Sequence, residues 1–459
     1  MKRRIPIFSI FSTLALLLMA GTLVGQDVIS GFENYINSNS SYLSALSEYF
    51  TARYNYENAF NKSPTINLNP EITISTAQNS DSNVFSRVNI PLVINFANVD
   101  GFNLNAEIGF SYDYSPNSNS FSVEPFAISL VNNNLFQEDT SSLTYEMQYL
   151  SSLWNLVSLR NELLINYIQD TFNSYYLNNK LEILKAKYDI KAVEFRQSLE
   201  KNEKGLLSDD ELYGEQIELY NLKNQILEVS NGLLDAKKVG KVSKDTIEEL
   251  FAILSGFNKN NLPSREEIEK VIEKRLDIEA QRIAITVAEK NLNNYFIKKY
   301  DPAISVTLSH SNPTNNEFSI ENFKLSSTLS FNIPILDKGE LQNTKRELEQ
   351  KLKIERVRLS EKIDDLKTSL QKTYTNIEKA TNNLEISKIE LKMKQKNYEE
   401  FSKNSQYYSP SKLKLSELDY KLSALELENA KFSLIISTLQ IYNLMGMDIY
   451  ALLGGEPIR

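Results

Sequence analysis

Phe102-Asn103-Leu104-Asn105-Ala106-Glu107-Ile108-Gly109-Phe110-Ser111-Tyr112-Asp113-Tyr114 is written in strict alternation. Its even positions hold Phe102, Leu104, Ala106, Ile108, Phe110, Tyr112 and Tyr114, with Asn103, Asn105, Glu107, Ser111 and Asp113 between them. A β-strand sends successive side chains to opposite faces, so the stretch predicts a strand with one apolar and one wet face. Val84 to Phe96 repeats the pattern, setting Val88, Ile90, Leu92, Ile94 and Phe96 against Arg87, Asn89 and Asn95. Asp100-Gly101 between the two runs is a hairpin signal. In the second half, Phe323, Leu325, Leu329, Phe331, Ile333 and Ile335 alternate with Asn322, Lys324, Ser326, Thr328, Ser330 and Asn332. Ile304, Val306 and Leu308 do so with Ser305, Thr307 and Ser309.

Alternation alone describes a soluble half-buried sheet as well as the wall of a membrane barrel. An export signal, the aromatic residues on the apolar face and the helices around the strands favour the barrel. The runs supply the roughly 9 to 11 residues that a membrane-crossing strand requires. About four to six strands are expected, fewer than the roughly eight of the smallest closed barrel, so the barrel must be shared between subunits.

The helical signal is as long as the strand signal is short. From about Asp139 to Asn202, and from about Lys338 to Phe401, there is no Pro and no breaking cluster; at about 1.5 Å per residue each run predicts a rod near 100 Å long. Leu181, Leu184, Tyr188 and Val193, and likewise Leu384, Ile389, Met393 and Phe401, recur at helical spacing among charges. Amphipathic rods of this kind pack sideways on neighbours. Each rod turns back. In Lys204-Gly205-Leu206-Leu207-Ser208, Gly205 suits a left-handed helix end, and Ser208 with Glu211 forms a capping box. In Gln406 to Ser411, Ser409-Pro410 reads as N-cap and first helical residue.

Lys2, Arg3 and Arg4, followed by apolar Ile5 to Ala20 and by Leu23-Val24-Gly25, predict a signal peptide over residues 1–25. The formal charge is −9; without those three basic residues it is −12, which speaks against a nucleic-acid partner. The chain has no Cys, which excludes disulfides, thiolate metal sites, a Cys nucleophile and a lipidated N-terminal Cys. Its single His, His310, sits in an alternating strand, and the carboxylates follow helical surface periodicity without a clustered pocket signature. No catalytic, cofactor or metal site is expected, and the chain reads as non-enzymatic.

The order helix, strands, helix, helix occurs twice. Leu135-Phe136 and Ile335-Leu336 precede the rods with an offset of 200, and the turns at Gly205 and Ser409 differ by 204. Pro70 and Pro302, before the strands, differ by 232, so the first strand region carries an extra 32 residues, about one β-hairpin. The expected divisions after residues 1–25 begin with 26–69, the first N-terminal helix, and 70–136, the first strand region with its extra hairpin. Then come 137–238, the first long helical hairpin, and 239–263, a lateral equatorial insertion. Residues 264–300, capped by Ser264 and Glu267, open the second repeat; 301–336 form its strand region and 337–459 its helical hairpin and C-terminus.

Ser330-Phe331-Asn332-Ile333-Pro334-Ile335-Leu336-Asp337-Lys338-Gly339-Glu340 resembles the strand-to-helix junction of TolC-like outer-membrane efflux proteins. Leu276-Asp277-Ile278-Glu279-Ala280 is similar to the start of that family's second repeat, Lys204-Gly205-Leu206 to its periplasmic turn, and Leu439 to Met447 to its closing helix. The resemblance implies a homotrimer with a shared 12-stranded barrel in the outer membrane and a periplasmic barrel of 12 helices. A periplasmic adaptor would dock at its tip, and an inner-membrane pump or secretion ATPase would supply substrate. It places gate candidates at Asp210, Glu211, Lys414 and Glu417, and adaptor-contact candidates at Gly205, Leu206, Leu207, Ser409, Pro410 and Ser411.

Two departures stand out. Lys414 occupies a position where the family often has a carboxylate, and the second turn lacks the usual Gly. The extra hairpin either lies outside the barrel or adds two strands per subunit, making an 18-stranded one. An exported adhesive or structural coiled coil without a pore is the alternative reading; the alternating strands discriminate against it, since a stalk has no need of them.

Overall fold

The computed structural model describes residues 26–59, 65–68, 71–76, 84–99, 102–115, 118–123, 127–132, 137–235, 242–298, 303–310, 323–331 and 338–458. The expected signal peptide, the Asp100-Gly101 turn, Pro70, Pro302, Leu135-Phe136 and the 332–337 part of the second junction lie outside these residues. The chain forms two compact units, one from Met1–Glu48, Ser152–Ile278 and Lys362–Arg459, the other from Tyr49–Ser151 and Glu279–Glu361.

The helices are α1 (Gln26–Asn37), α2 (Ser40–Ala59), α3 (Ser141–Glu203), α4 (Asp209–Asp235), α5 (Lys244–Leu254), α6 (Arg265–Ile272), α7 (Leu276–Asn293), α8 (Tyr295–Lys298), α9 (Glu340–Lys403), α10 (Pro410–Leu444) and α11 (Ile449–Leu452). The two runs without breakers are single helices, α3 of 63 residues and α9 of 64. At about 1.5 Å per residue each is about 95 Å long.

The sheet belongs to the second unit. Its segments are β1 (Thr65–Leu68), β2 (Glu71–Thr76), β3 (Val84–Val99), β4 (Phe102–Ser115), β5 (Ser118–Val123), β6 (Ala127–Asn132), β7 (Ala303–His310) and β8 (Phe323–Ser330). β1 and β2 pair with successive stretches of β3, and β6 and β5 with successive stretches of β4. The eight segments therefore make six antiparallel strands in the order β1/β2, β3, β4, β5/β6, β7, β8. The register joins like with like, as the alternation requires: Leu92 faces Ile108 and Ile94 faces Ala106, while Asn95 faces Asn105. Leu325, Leu329 and Phe331 are 70, 55 and 56 % exposed, so this chain by itself leaves them uncovered. Helix ends in the same unit are tied together. The Asn294 side chain accepts from the Glu138 N–H at 2.9 Å and donates to its carbonyl at 2.8 Å, and the Tyr295 hydroxyl donates to the Leu341 carbonyl at 2.8 Å.

In the helical unit, four helices lie side by side. Leu184 of α3 packs with Leu222 and Val229 of α4, joined by Leu177, Leu181, Tyr188 and Ile226. On its other flank α3 meets α10: Phe172 and Phe432 stack at 4.0 Å, and Lys180 pairs with Glu426 at 2.8 Å. α10 in turn meets α9, where Tyr398 and Tyr420 stack at 5.9 Å. Asp419 of α10 receives Lys187 of α3 at 2.6 Å and Lys394 of α9 at 3.6 Å, tying three helices through one carboxylate. The lateral order is α4, α3, α10, α9.

Residues 243–272, which span most of the expected insertion and the start of the expected second repeat, form short helices with an apolar interior. Ile247, Leu250 and Leu254 of α5, Phe257, and Ile268 and Ile272 of α6 are all buried. Ser264 and Glu267 form the capping box that starts α6. The C-terminus is bound by long-range polar contacts. Buried Arg160 pairs with Asp448 and donates to the Glu456 carbonyl at 3.0 Å. Buried Asn161 donates to the Met447 carbonyl at 2.6 Å and accepts from the Ile449 N–H at 2.9 Å. Gly446 ends α10 at φ 74°, and a Cβ there would stand 2.7 Å from the Trp154 ring. That ring carries the Arg275 guanidinium at 4.0 Å, which also pairs with Asp277 at 3.0 Å.

Candidate functional site

The candidates lie on the turns that end the two helical hairpins, and local chemistry builds each turn. At the first, α3 stops because Gly205 takes φ 68°, which lets the Gly205 N–H reach the Asn202 carbonyl at 2.8 Å and the Leu206 N–H reach that of Lys201 at 2.9 Å. The Asn202 amide then donates to the Leu207 carbonyl at 3.0 Å and to the Asp209 carboxylate at 2.9 Å, bracing the loop from within. Glu211 accepts from the Ser208 N–H at 3.2 Å and the Ser208 hydroxyl at 2.9 Å, while its own N–H donates back to Ser208 Oγ at 3.3 Å. Those bonds to Ser208, from the hydroxyl first and the backbone N–H second, hold the Glu211 carboxyl below its ordinary range. Asp209, Asp210 and Glu211 fill the first turn of α4, where negative charge meets the positive end of the helix dipole. Leu206 is left 74 % exposed at the apex, and Leu207 is half-buried.

The second turn reaches the same end without a glycine. A 3-10 turn, Ser405–Tyr407, follows α9, and Ser409 then caps α10 by accepting from the Lys412 N–H at 3.2 Å, with Pro410 as the first helical residue. Lys412 sits over the rings of Phe401 and Tyr408, which contact each other with centroids 4.6 Å apart. Tyr407 is 77 % exposed. Glu417 lies between two lysines of its own helix, Lys421 at 2.6 Å and Lys414 at 2.9 Å. Hydrogen bonds from Lys421 and then Lys414 hold its carboxyl below the ordinary range.

Each acidic candidate with a bond is thus satisfied within its own turn: Glu211 by Ser208, and Glu417 by the two lysines. Among the described residues no hydrogen bond or ion pair joins the first turn to the second. Asp210 is exposed in the first turn of α4, and Ser409, Pro410 and Ser411 open α10. Sequence reasoning missed Lys421, although its spacing of four from Glu417 is the usual helical ion-pair spacing. It also missed the Asp419 bridge, which no local spacing announces. Above the turns, an amide-rich groove of about 410 Å³ runs along α3, α9 and α10, lined among others by Asn173, Asn376, Asn383, Asn429 and Gln440.

Among the described residues no group of His, Cys, Asp or Glu is placed to hold a metal ion, and no helix is long and apolar enough to cross a membrane. No protein-family model matches the sequence. No curated protein matches it either. Solved structures do match. The CmeC outer membrane channel of Campylobacter jejuni superposes with a TM-score of 0.55 at 13 % identity, over 91 % of this chain and 85 % of that one. CusC, whose structures concern folding and transmembrane channel formation, gives 0.53 at 14 % identity over 92 % of both chains. The MtrE outer membrane channel of Neisseria gonorrhoeae in its open state gives 0.51 at 12 % identity, over 94 % of this chain and 90 % of that one. This chain has the TolC-like fold: long helical hairpins combined with an antiparallel sheet.

Proposed function

We propose that the chain is one third of an outer-membrane exit duct, a passive, non-enzymatic channel whose strands cross the membrane and whose helices extend into the periplasm. The observation that carries this reading is a matched set of unfinished edges. β8 pairs only with β7 and β1/β2 only with β3 among the described residues, so the sheet ends in two open edges. In a membrane each open edge would leave backbone groups unpaired at several kcal/mol apiece, which only closure removes. The helical row ends the same way. Outer helix α4 exposes Tyr213, Ile217, Tyr220, Leu227 and Leu234, and outer helix α9 exposes Ile386, Ile389 and Met393. Both sets follow spacings of three, four and seven, the mark of one helix face awaiting another helix. A homotrimer closes both, as the resemblance implies.

In this reading the polar strand face lines a wet lumen, the apolar face meets lipid, and the amide-rich groove offers solutes a polar wall. The turns would meet a periplasmic adaptor through Gly205, Leu206, Leu207, Ser409, Pro410 and Ser411, with an inner-membrane transporter supplying the cargo of an efflux or type I secretion system. Opening would part the hairpins near Asp210, Glu211, Lys414 and Glu417. The purified protein, inserted into planar bilayers, is expected to give discrete ion-conducting steps. Correctly inserted trimers that pass no ions would overturn the reading.

A further inference from the structure

We infer that the hairpin β3–β4, whose residues 84–115 match the extra 32 in length, is part of the barrel wall, so that the closed barrel has 18 strands contributed six by each copy. The inference rests on the duct reading and goes beyond it in the width of the pore.

The hairpin β3–β4 sits in the middle of the sheet. β3 pairs with β1/β2 on one side and β4 on the other, and β4 pairs with β3 and with β5/β6. Two rows cross all six strands. One runs Thr65, Asn95, Asn105, Ser129, Thr307, Ser326, polar at every step. The next runs Ile66, Ile94, Ala106, Ile128, Leu308, Leu325, apolar at every step. A strand slipped by one residue would exchange its faces, so an inserted hairpin that keeps both rows unbroken is in phase with the wall on either side. Folding it away would strip partners from β1/β2 and from β5/β6 together.

Closure also fits the directions. Every neighbouring pair along the path is antiparallel and the strands number six, so β8 runs opposite to β1/β2. Rotation about a common axis preserves direction, and β8 of one copy therefore meets β1/β2 of the next antiparallel. Barrel diameter grows roughly in proportion to strand number, so 18 strands give a pore about half again as wide as 12, in the range where barrels hold an open aqueous channel.

Cysteine pairs test this without background, because the chain has none of its own. Thr65→Cys with Asn95→Cys, and Ile66→Cys with Ile94→Cys, stand directly opposite on β1 and β3 and are expected to form disulfides within one chain. Thr65→Cys with Ser129→Cys, and Ile66→Cys with Ile128→Cys, are three strand spacings apart, about 14 Å, and are expected to stay reduced. If β1 paired directly with β6 around an outlying hairpin, the second set would bond and the first would not. Either that exchange or failure of both β1–β3 pairs, read by peptide mass spectrometry on the full trimer, overturns the inference. Thr65→Cys combined in turn with cysteine at each of positions 324–328 is expected to give a ladder of dimers and trimers on denaturing gels. Loss of that ladder together with loss of conductance counts against the duct itself; ladder and conductance with a β1–β6 bond count against the 18 strands alone.

Discussion

Gly446 and Arg160 show how single residues hold the C-terminal end. Gly446 combines a left-handed backbone with a ring against its α-carbon, so Gly446→Ala is expected to cost about 1–2 kcal/mol in backbone strain, with further loss as Trp154 and Arg275 give way. A lower thermal unfolding midpoint of the extracted protein checks it. Asp448→Asn is expected to cost more, about 3 kcal/mol, because it leaves the buried Arg160 guanidinium without its counter-charge. At the turns the relevant variable is pH. The carboxyls of Glu211 and Glu417 lie below their ordinary range in the folded chain. Their contribution is therefore complete above the unfolded carboxylate pKa and disappears as pH falls through the lowered folded values. Hydrogen-exchange protection over 206–212 and 411–418, corrected for intrinsic rates, is expected to fall together on acidification. Glu417→Gln is expected to remove that pH response at the second turn and leave it at the first; an unchanged response at the second turn would assign it to another group.

Towards the turns, α3 and α10 have a helix on each side, whereas α4 around Ile217 and α9 around Ile386 keep an exposed outer face among the described residues. Leu184 of α3 is 1 % exposed between α4 residues, so Leu184→Ala is expected to destabilise the fold by about 2–5 kcal/mol. Ile217 of α4 is 61 % exposed on the outer side. Ile217→Lys with Leu227→Lys is expected to leave helix content by circular dichroism unchanged and to shift the detergent-extracted protein from trimer to monomer by light scattering. Much of this level was legible in the sequence. Uninterrupted helical runs gave α3 and α9 to within two residues at each end, because nothing in them opposes propagation. Alternation marked β3, β4, β7 and β8, because one-sided wetting leaves a period of two. The place of β3 and β4 in the middle of the sheet was not legible: alternation fixes a strand's faces but not which strands lie beside it. The bond between Asn161 and Met447 spans 286 residues, and the pairing of Lys187 with Asp419 spans 232, so no local spacing could announce them.

The whole assembly turns on whether the two unfinished edges are copies of one surface or complements. They are different surfaces: α4 and α9 lie at opposite ends of the row α4, α3, α10, α9, with different apolar residues. Contact between unlike edges is head-to-tail, and head-to-tail contact makes rings when the rotation closes. Like-to-like contact is isologous, so any one edge used in that way joins two copies and no more. Co-expression separates these cases. Let one chain carry Ile217→Lys and Leu227→Lys on α4, and a second carry Ile386→Lys and Ile389→Lys on α9. In a head-to-tail ring the first keeps a working α9 edge and the second a working α4 edge, so together they own one intact contact between them. The mixture is expected to give pairs containing one of each chain, with no trimer and no conductance. If each edge met its own kind, every chain would pair with itself through its undamaged edge, and tagged pull-down would return dimers of identical chains. Mixed pairs would show that the open helical edges are complementary, which is what a ring needs if one asymmetric chain is to close on copies of itself.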